Sequence, residues 1–156
     1  MWESAKNMSF KSKSAILLVL AAAYYVGLGL MPMITYRLPI MDFARWLGAS
    51  QTTASYAYLI GTHTIGVLIA ALPIAIVMVM VFSRRLFWLA LLVSLPPVID
   101  LVFGIKMFAG ISNGTLEFTT FYITDGLKIA LAIPLLTWLL SKNLQYQRRG
   151  QLSSEE

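Results

Sequence analysis

Four stretches of the chain run for 20 residues or more with hardly a charge: Ala15–Ile34, Ser55–Phe82, Leu86–Met107 and Phe118–Leu140. This pattern leaves few structures open. A run of about 20 apolar residues, at about 1.5 Å each in a helix, matches the roughly 30 Å of hydrocarbon in a bilayer. Within that hydrocarbon every backbone N–H and C=O must find its partner inside the protein, which the α-helix accomplishes segment by segment. The expected fold is therefore all-α, a polytopic membrane protein built as an antiparallel four-helix transmembrane bundle. The 156 residues leave room for short loops and a polar tail from Ser141 to Glu156, so a single membrane domain is expected.

Charge supports the same reading. Only 12% of residues are Asp, Glu, Lys or Arg, against roughly 25% in water-soluble domains. The net charge of +5 would suggest nucleic acid in a soluble protein, but here the basic residues flank the apolar runs and report topology instead, so no nucleic-acid partner is expected. Lys6, Lys11, Lys13, Arg84, Arg85, Lys142, Arg148 and Arg149 all fall on one side. Arg37, Arg45 and, at a span end, Lys106 fall on the other. The positive-inside rule then puts both termini in the cytoplasm, with the plasma membrane or a bacterial inner membrane as the expected location. Although Lys6, Lys11 and Lys13 precede an apolar block with Ala21-Ala22-Ala23 inside it, the block continues to Ile34, which favours an uncleaved anchor over a signal peptide.

The first outer loop carries helix punctuation. Pro39 suits a start and Gly48 a stop, with Ile40, Phe43, Trp46 and Leu47 between them. A short interfacial helix over Pro39–Leu47 is expected, with Tyr36 and Trp46 at headgroup depth. Asn113-Gly114-Thr115 falls in the second outer loop as a glycosylation triplet.

With no cysteine, dithiol exchange, iron–sulfur ligation and covalent haem attachment are excluded. One histidine, His63, cannot by itself supply a multi-histidine zinc or haem site, and no metal is expected. Phosphate-cradling and nucleophile-elbow motifs are missing too.

The residues that carry chemical interest are the ionisable ones inside the spans: His63, Asp100, Asp125 and Lys128. Three independent charges at helix centres would cost on the order of 8–10 kcal/mol on insertion scales, so they must be paired, neutralised or hydrated. His63, Asp100 and Asp125 all fall roughly 10–12 Å from the outer ends of their spans, with Lys128 one turn deeper, which predicts one polar layer in the outer half. His63, Gly66, Ala70 and Pro73 share a narrow small-residue face suited to close helix approach. Pro96 and Pro97 free the carbonyls of Leu92 and Val93 one turn before Asp100. Asp125 and Lys128, three apart, can pair on one helix face. For each there is a structural alternative: a snorkelling Asp125–Lys128 pair, a neutral interhelical His63, a protonated Asp100 that merely holds helices together. Tyr24 and Tyr25 are candidate pocket-lining residues, and Arg37 is a candidate outer cap on the acidic groups.

Gly61-Thr62-His63-Thr64-Ile65-Gly66, Arg84-Arg85, Pro96-Pro97-Val98-Ile99-Asp100 and Thr124-Asp125 together resemble the DoxX-like group of small four-helix membrane proteins, over roughly two thirds of the chain. Members of that group often have an arginine near the start of the second helix and a histidine in the last, where this chain has His63 and Asp125. The resemblance implies an accessory or quinone-linked redox setting. The leading expectation is binding of a small molecule, quinone or proton in an outer-half pocket formed by His63, Asp100, Asp125 and Lys128, with no cofactor other than quinone. A homo-oligomeric or holin-like pore and an isomerase-like enzyme on a lipid or prenyl substrate are the alternatives. The expected partners are the bilayer and further copies or subunits of a membrane complex.

Overall fold

A computed structural model of the chain describes residues 9–82, 85–109 and 116–152. Five helices are present: α1 Phe10–Thr35, α2 Ile40–Trp46, α3 Gln51–Val81, α4 Leu86–Ala109 and α5 Leu116–Leu152. No strand occurs among the described residues. Four of the five, all but α2, are long and apolar enough to cross a membrane. Lys6, Ser83, Arg84 and the Asn113-Gly114-Thr115 triplet lie outside the described residues.

The first and third helices begin before their apolar runs do because capping, not hydropathy, starts them. Ser9 opens α1 by accepting from the Ser12 N–H at 3.2 Å, and Ser50 opens α3 by accepting from the Thr53 N–H at 3.2 Å. The short helix expected at Pro39–Leu47 forms as α2, with Pro39 immediately before it and Asp42 and Arg45 at the ends that suit their charges. Gly48 stops it: at φ +86° it turns the chain so that Gly48 N–H donates to Arg45 C=O and Ala49 N–H to Ala44 C=O. This is a Schellman closure, which favours glycine at that position. At the far end of the chain, the polar segment from Ser141 onward continues α5 as helix to Leu152 rather than fraying.

Each long helix packs against two others: α1 on α3 and α4, and α5 on α3 and α4, with α3 and α4 meeting only slightly and α2 resting on α3. The fully buried side chains between them include Tyr24, Met78, Val93, Ser94, Ile133 and Thr137. Ser94 and Thr137 spend their hydroxyl hydrogens on carbonyls of their own helices, Ala90 and Pro134. Large apolar residues such as Leu18, Val26, Leu68, Leu92, Leu127 and Leu135 point outward and are exposed. Such surface is unfavourable in water and appropriate to lipid.

Lipid tails are as apolar as leucine, so close backbone approach rather than hydrophobicity holds such helices together. Glycines and alanines provide it. Gly66 of α3 faces Met31 and Thr35 of α1, Gly27 of α1 faces Ala70 of α3, and Gly61 receives the Ile40 side chain of α2. The small-residue face expected along His63, Gly66, Ala70 and Pro73 is corrected at its last position: Pro73 is exposed, and the buried stripe continues through Ile74 and Met78. A straight stripe drifts around a 3.6-residue helix, and ten residues on from His63 it has left the contact.

A Cβ at Gly66 would stand 3.1 Å from the Met31 Cβ, whereas one at Gly29 would meet nothing within 4 Å. Gly66→Ala is therefore expected to lower stability by about 1–3 kcal/mol, and Gly29→Ala to be neutral or to gain up to about 1 kcal/mol in helix propensity. Thermal unfolding of the two variants in detergent checks the contrast; equal effects would refute close packing at Gly66.

Candidate functional site

Asp125 is the one charged side chain buried among the described residues, at 4% exposure. It lies on the inward stripe of α5 with Ile129, Ala132 and Ile133. Two groups converge on its Oδ1: Lys128 Nζ, one turn along the same helix, donates at 3.0 Å, and His63 Nδ1 from α3 stands 3.2 Å away. The lysine contact is a charge-assisted hydrogen bond, and its ammonium end is only partly covered, so the pair joins a buried anion to a cation nearer the surface. The histidine contact is close enough for Coulomb attraction but not aligned as a hydrogen bond, and Nδ1 is buried without a hydrogen-bond partner.

The other side of His63 opens on a cavity of about 260 Å³ between the C-terminal half of α1 and the N-terminal half of α3. Leu28, Met31, Pro32, Leu59 and Val67 make its apolar walls, with Thr35, Tyr36, Tyr58, Thr62 and Gly66 around the polar end. Three of its four hydroxyls give their hydrogens to backbone carbonyls: Thr35 to Met31 C=O at 3.0 Å, Tyr58 to Tyr36 C=O at 2.8 Å, and Thr62 to Tyr58 C=O at 2.7 Å. These three therefore offer lone pairs to a ligand. The fourth, Tyr36, accepts from Arg37 Nε and keeps its own hydrogen, and His63 accepts at one nitrogen when neutral and donates at both when protonated.

The structure thus brings together three of the four expected residues, His63, Asp125 and Lys128. Asp100 stands elsewhere. It is exposed, and its Oδ2 accepts from the Tyr25 hydroxyl at 3.1 Å in a groove between α1 and α4. No hydrogen bond or ion pair among the described residues connects it to Asp125. Tyr24 lines neither space: fully buried, it donates to the Ile129 carbonyl of α5 at 2.9 Å and ties the first long helix to the last. Tyr25 belongs with Asp100. Among the described residues Arg37 caps no acidic group; its Nε donates to the Tyr36 hydroxyl at 3.2 Å and its guanidinium lies over that ring. Pro96 is exposed in the Asp100 groove and Pro97 is buried.

Thr35, Tyr58 and Thr62 were not singled out from the sequence. The signal was present in part, since Thr62 adjoins His63, but hydroxyl residues within apolar helices commonly bond back to their own carbonyls and carry no distinctive spacing. No group of three or more His, Cys, Asp or Glu side chains that could hold a metal ion occurs among the described residues. No family model, no curated protein and no solved structure matches the chain.

If the Asp125–Lys128 contact is a true pair, removing either partner strands the other. Asp125→Asn and Lys128→Met should each lower the unfolding midpoint, and the double variant should recover part of the loss, giving a coupling of about 1–2 kcal/mol. A double-mutant cycle by thermal unfolding measures it, and losses that add to within about 0.3 kcal/mol would show that the two do not interact.

Proposed function

We propose that the chain is an integral membrane protein with both termini on the cytoplasmic side and its long helices in alternating directions. It binds a small amphipathic molecule, a quinone-type ring or a proton at the cavity between α1 and α3, in an accessory rather than a turnover role. The observation that carries this reading is the position of His63, whose ring lines the cavity while its Nδ1 is buried 3.2 Å from the Asp125 carboxylate. The alternating directions are supported by Gly27 against Ala70 and Gly66 against Met31 and Thr35, residue numbers that rise along one helix as they fall along the other. The DoxX-like resemblance is part of the same proposal.

The chemistry follows from the lining. At about 260 Å³ the cavity lies just below the usual range for drug-sized ligands, roughly 300–1,000 Å³. It suits a single ring whose tail passes out between apolar residues such as Leu28 and Leu59. A lining that offers lone pairs favours a ligand that brings hydrogens, so a quinol is held better than its quinone while His63 is neutral. Protonation of His63 reverses the preference locally by turning its cavity-side nitrogen into a donor for a quinone carbonyl.

Two measurements test the reading. Purified protein in nanodiscs should bind a short-chain benzoquinol saturably, with affinity lowered about tenfold or more by His63→Ala, the loss of one buried hydrogen-bond partner. Binding no stronger than partition into empty nanodiscs, or unchanged in the variant, would refute the site. For orientation, the absence of native cysteine makes single-cysteine labelling free of background. A membrane-impermeant maleimide should label Leu47→Cys in intact cells and Phe10→Cys only after permeabilisation, and the opposite pattern would invert the topology.

A further inference from the structure

Asp100 raises a question that the His63 cavity does not answer. It is an exposed carboxylate near the middle of α4, and Tyr25 near the middle of α1 gives it one hydrogen bond. At about 1.5 Å per residue, Tyr25 lies roughly 22 Å and Asp100 roughly 21 Å from the N-terminal ends of their helices, well inside any hydrocarbon those helices cross. Around the pair is a groove of about 550 Å³ walled by apolar side chains, among them Leu17, Ala21, Leu92 and Phe103. A carboxylate accepts at about four positions, and Tyr25 fills one.

Among the described residues no ion pair serves it. One turn either way along α4 stand Pro96, Pro97, Phe103 and Gly104. From α1 the titratable group facing it is Tyr25. On α5, which also packs on α4, the charged pair Asp125 and Lys128 is engaged with itself and with His63. A carboxylate at this depth escapes the cost of its charge in two ways, by holding a proton or by holding a cation brought from outside. A hard metal ion needs several further oxygen ligands, which these apolar walls do not offer. An organic cation needs one anion, apolar contact and aromatic faces, all of which the groove supplies.

We infer that the groove between α1 and α4 is a second binding site, separate from the His63 cavity, that takes a lipophilic organic cation on Asp100 with Tyr25 aligning the carboxylate. The volume admits a body of several rings or a branched chain, and the open side admits entry from the lipid.

Tetraphenylphosphonium is a suitable probe, because it joins a fixed charge to aromatic rings. Equilibrium dialysis against the full chain in zwitterionic nanodiscs should show saturable binding near one per chain. Asp100→Asn should weaken it about tenfold or more, the loss of one ionic contact, with Asp100→Glu retaining most of it and Tyr25→Phe weakening it less than Asp100→Asn. Asp42→Asn, which removes an exposed carboxylate on α2, should leave it unchanged. The proposal fails if the wild type binds no more than empty nanodiscs, as it would were the groove filled by a second copy of the chain. It fails equally if binding survives Asp100→Asn. Should Asp100→Asn not fold, a neutral isostere, tetraphenylsilane, decides the matter on the wild type: saturable binding as tight as that of the cation overturns the proposal.

Discussion

Hydrocarbon gives apolar helix faces no reason to prefer one another over lipid, and the contacts of this protein follow from that. What remains to hold the helices is dispersion between closely approaching backbones and a few polar bonds that lipid cannot replace. Gly66 beneath Met31 and Thr35, Gly27 against Ala70, and Gly126 against Leu101 supply the first. The Tyr24 hydroxyl on the Ile129 carbonyl and the Asp125 contacts to His63 and Lys128 supply the second. The candidate site is thus made from the same groups that fix helix to helix. His63 occupies both roles, one edge in the α3–α5 contact and the other in the cavity.

That double role shapes what the site can do. The hydroxyls of Thr35, Tyr58 and Thr62 give their hydrogens to backbone carbonyls and so contribute rigidity more than reactivity. His63, by contrast, can change its donor and acceptor pattern, and it is backed by a carboxylate that Lys128 already contacts. Asp100 is a different case: among the described residues its contact is the hydrogen bond from Tyr25, with no ion pair.

Much of this was legible in the sequence. Uncharged runs gave the four long helices, Pro39 and Gly48 gave α2 to within a residue at each end, and counting from the span ends brought His63 and Asp125 to one depth. Depth fixes height along a helix but not the direction in which a side chain points, and the expected grouping failed at Asp100 for that reason. Asp125 shares a stripe with the buried Ile129, Ala132 and Ile133. Asp100, at about 100° per residue, falls roughly 70° off the middle of the Ala90, Val93, Ser94 and Pro97 stripe. The phase was available in principle, but on a helix apolar all round nothing marks which face is inward. Tyr24 and Tyr25 illustrate the same limit, since adjacent residues of one type went to opposite fates. Helix starts were missed because serine caps lie outside the apolar runs.

The continuation of α5 to Leu152 bears on how the basic end of the chain meets a membrane surface. A flexible tail would let Arg148 and Arg149 fold back and lie among anionic headgroups. A helix instead acts as a rigid spacer: at about 1.5 Å per residue, the backbone at Arg148 is held roughly 9 Å beyond that at Lys142 along the axis. That offset is close to one screening length at physiological salt, about 8 Å. Lys142, whose ammonium rests on the Trp138 ring, is thus separated along the axis from the backbone of the two arginines by a fixed distance instead of sharing one charge cluster with them.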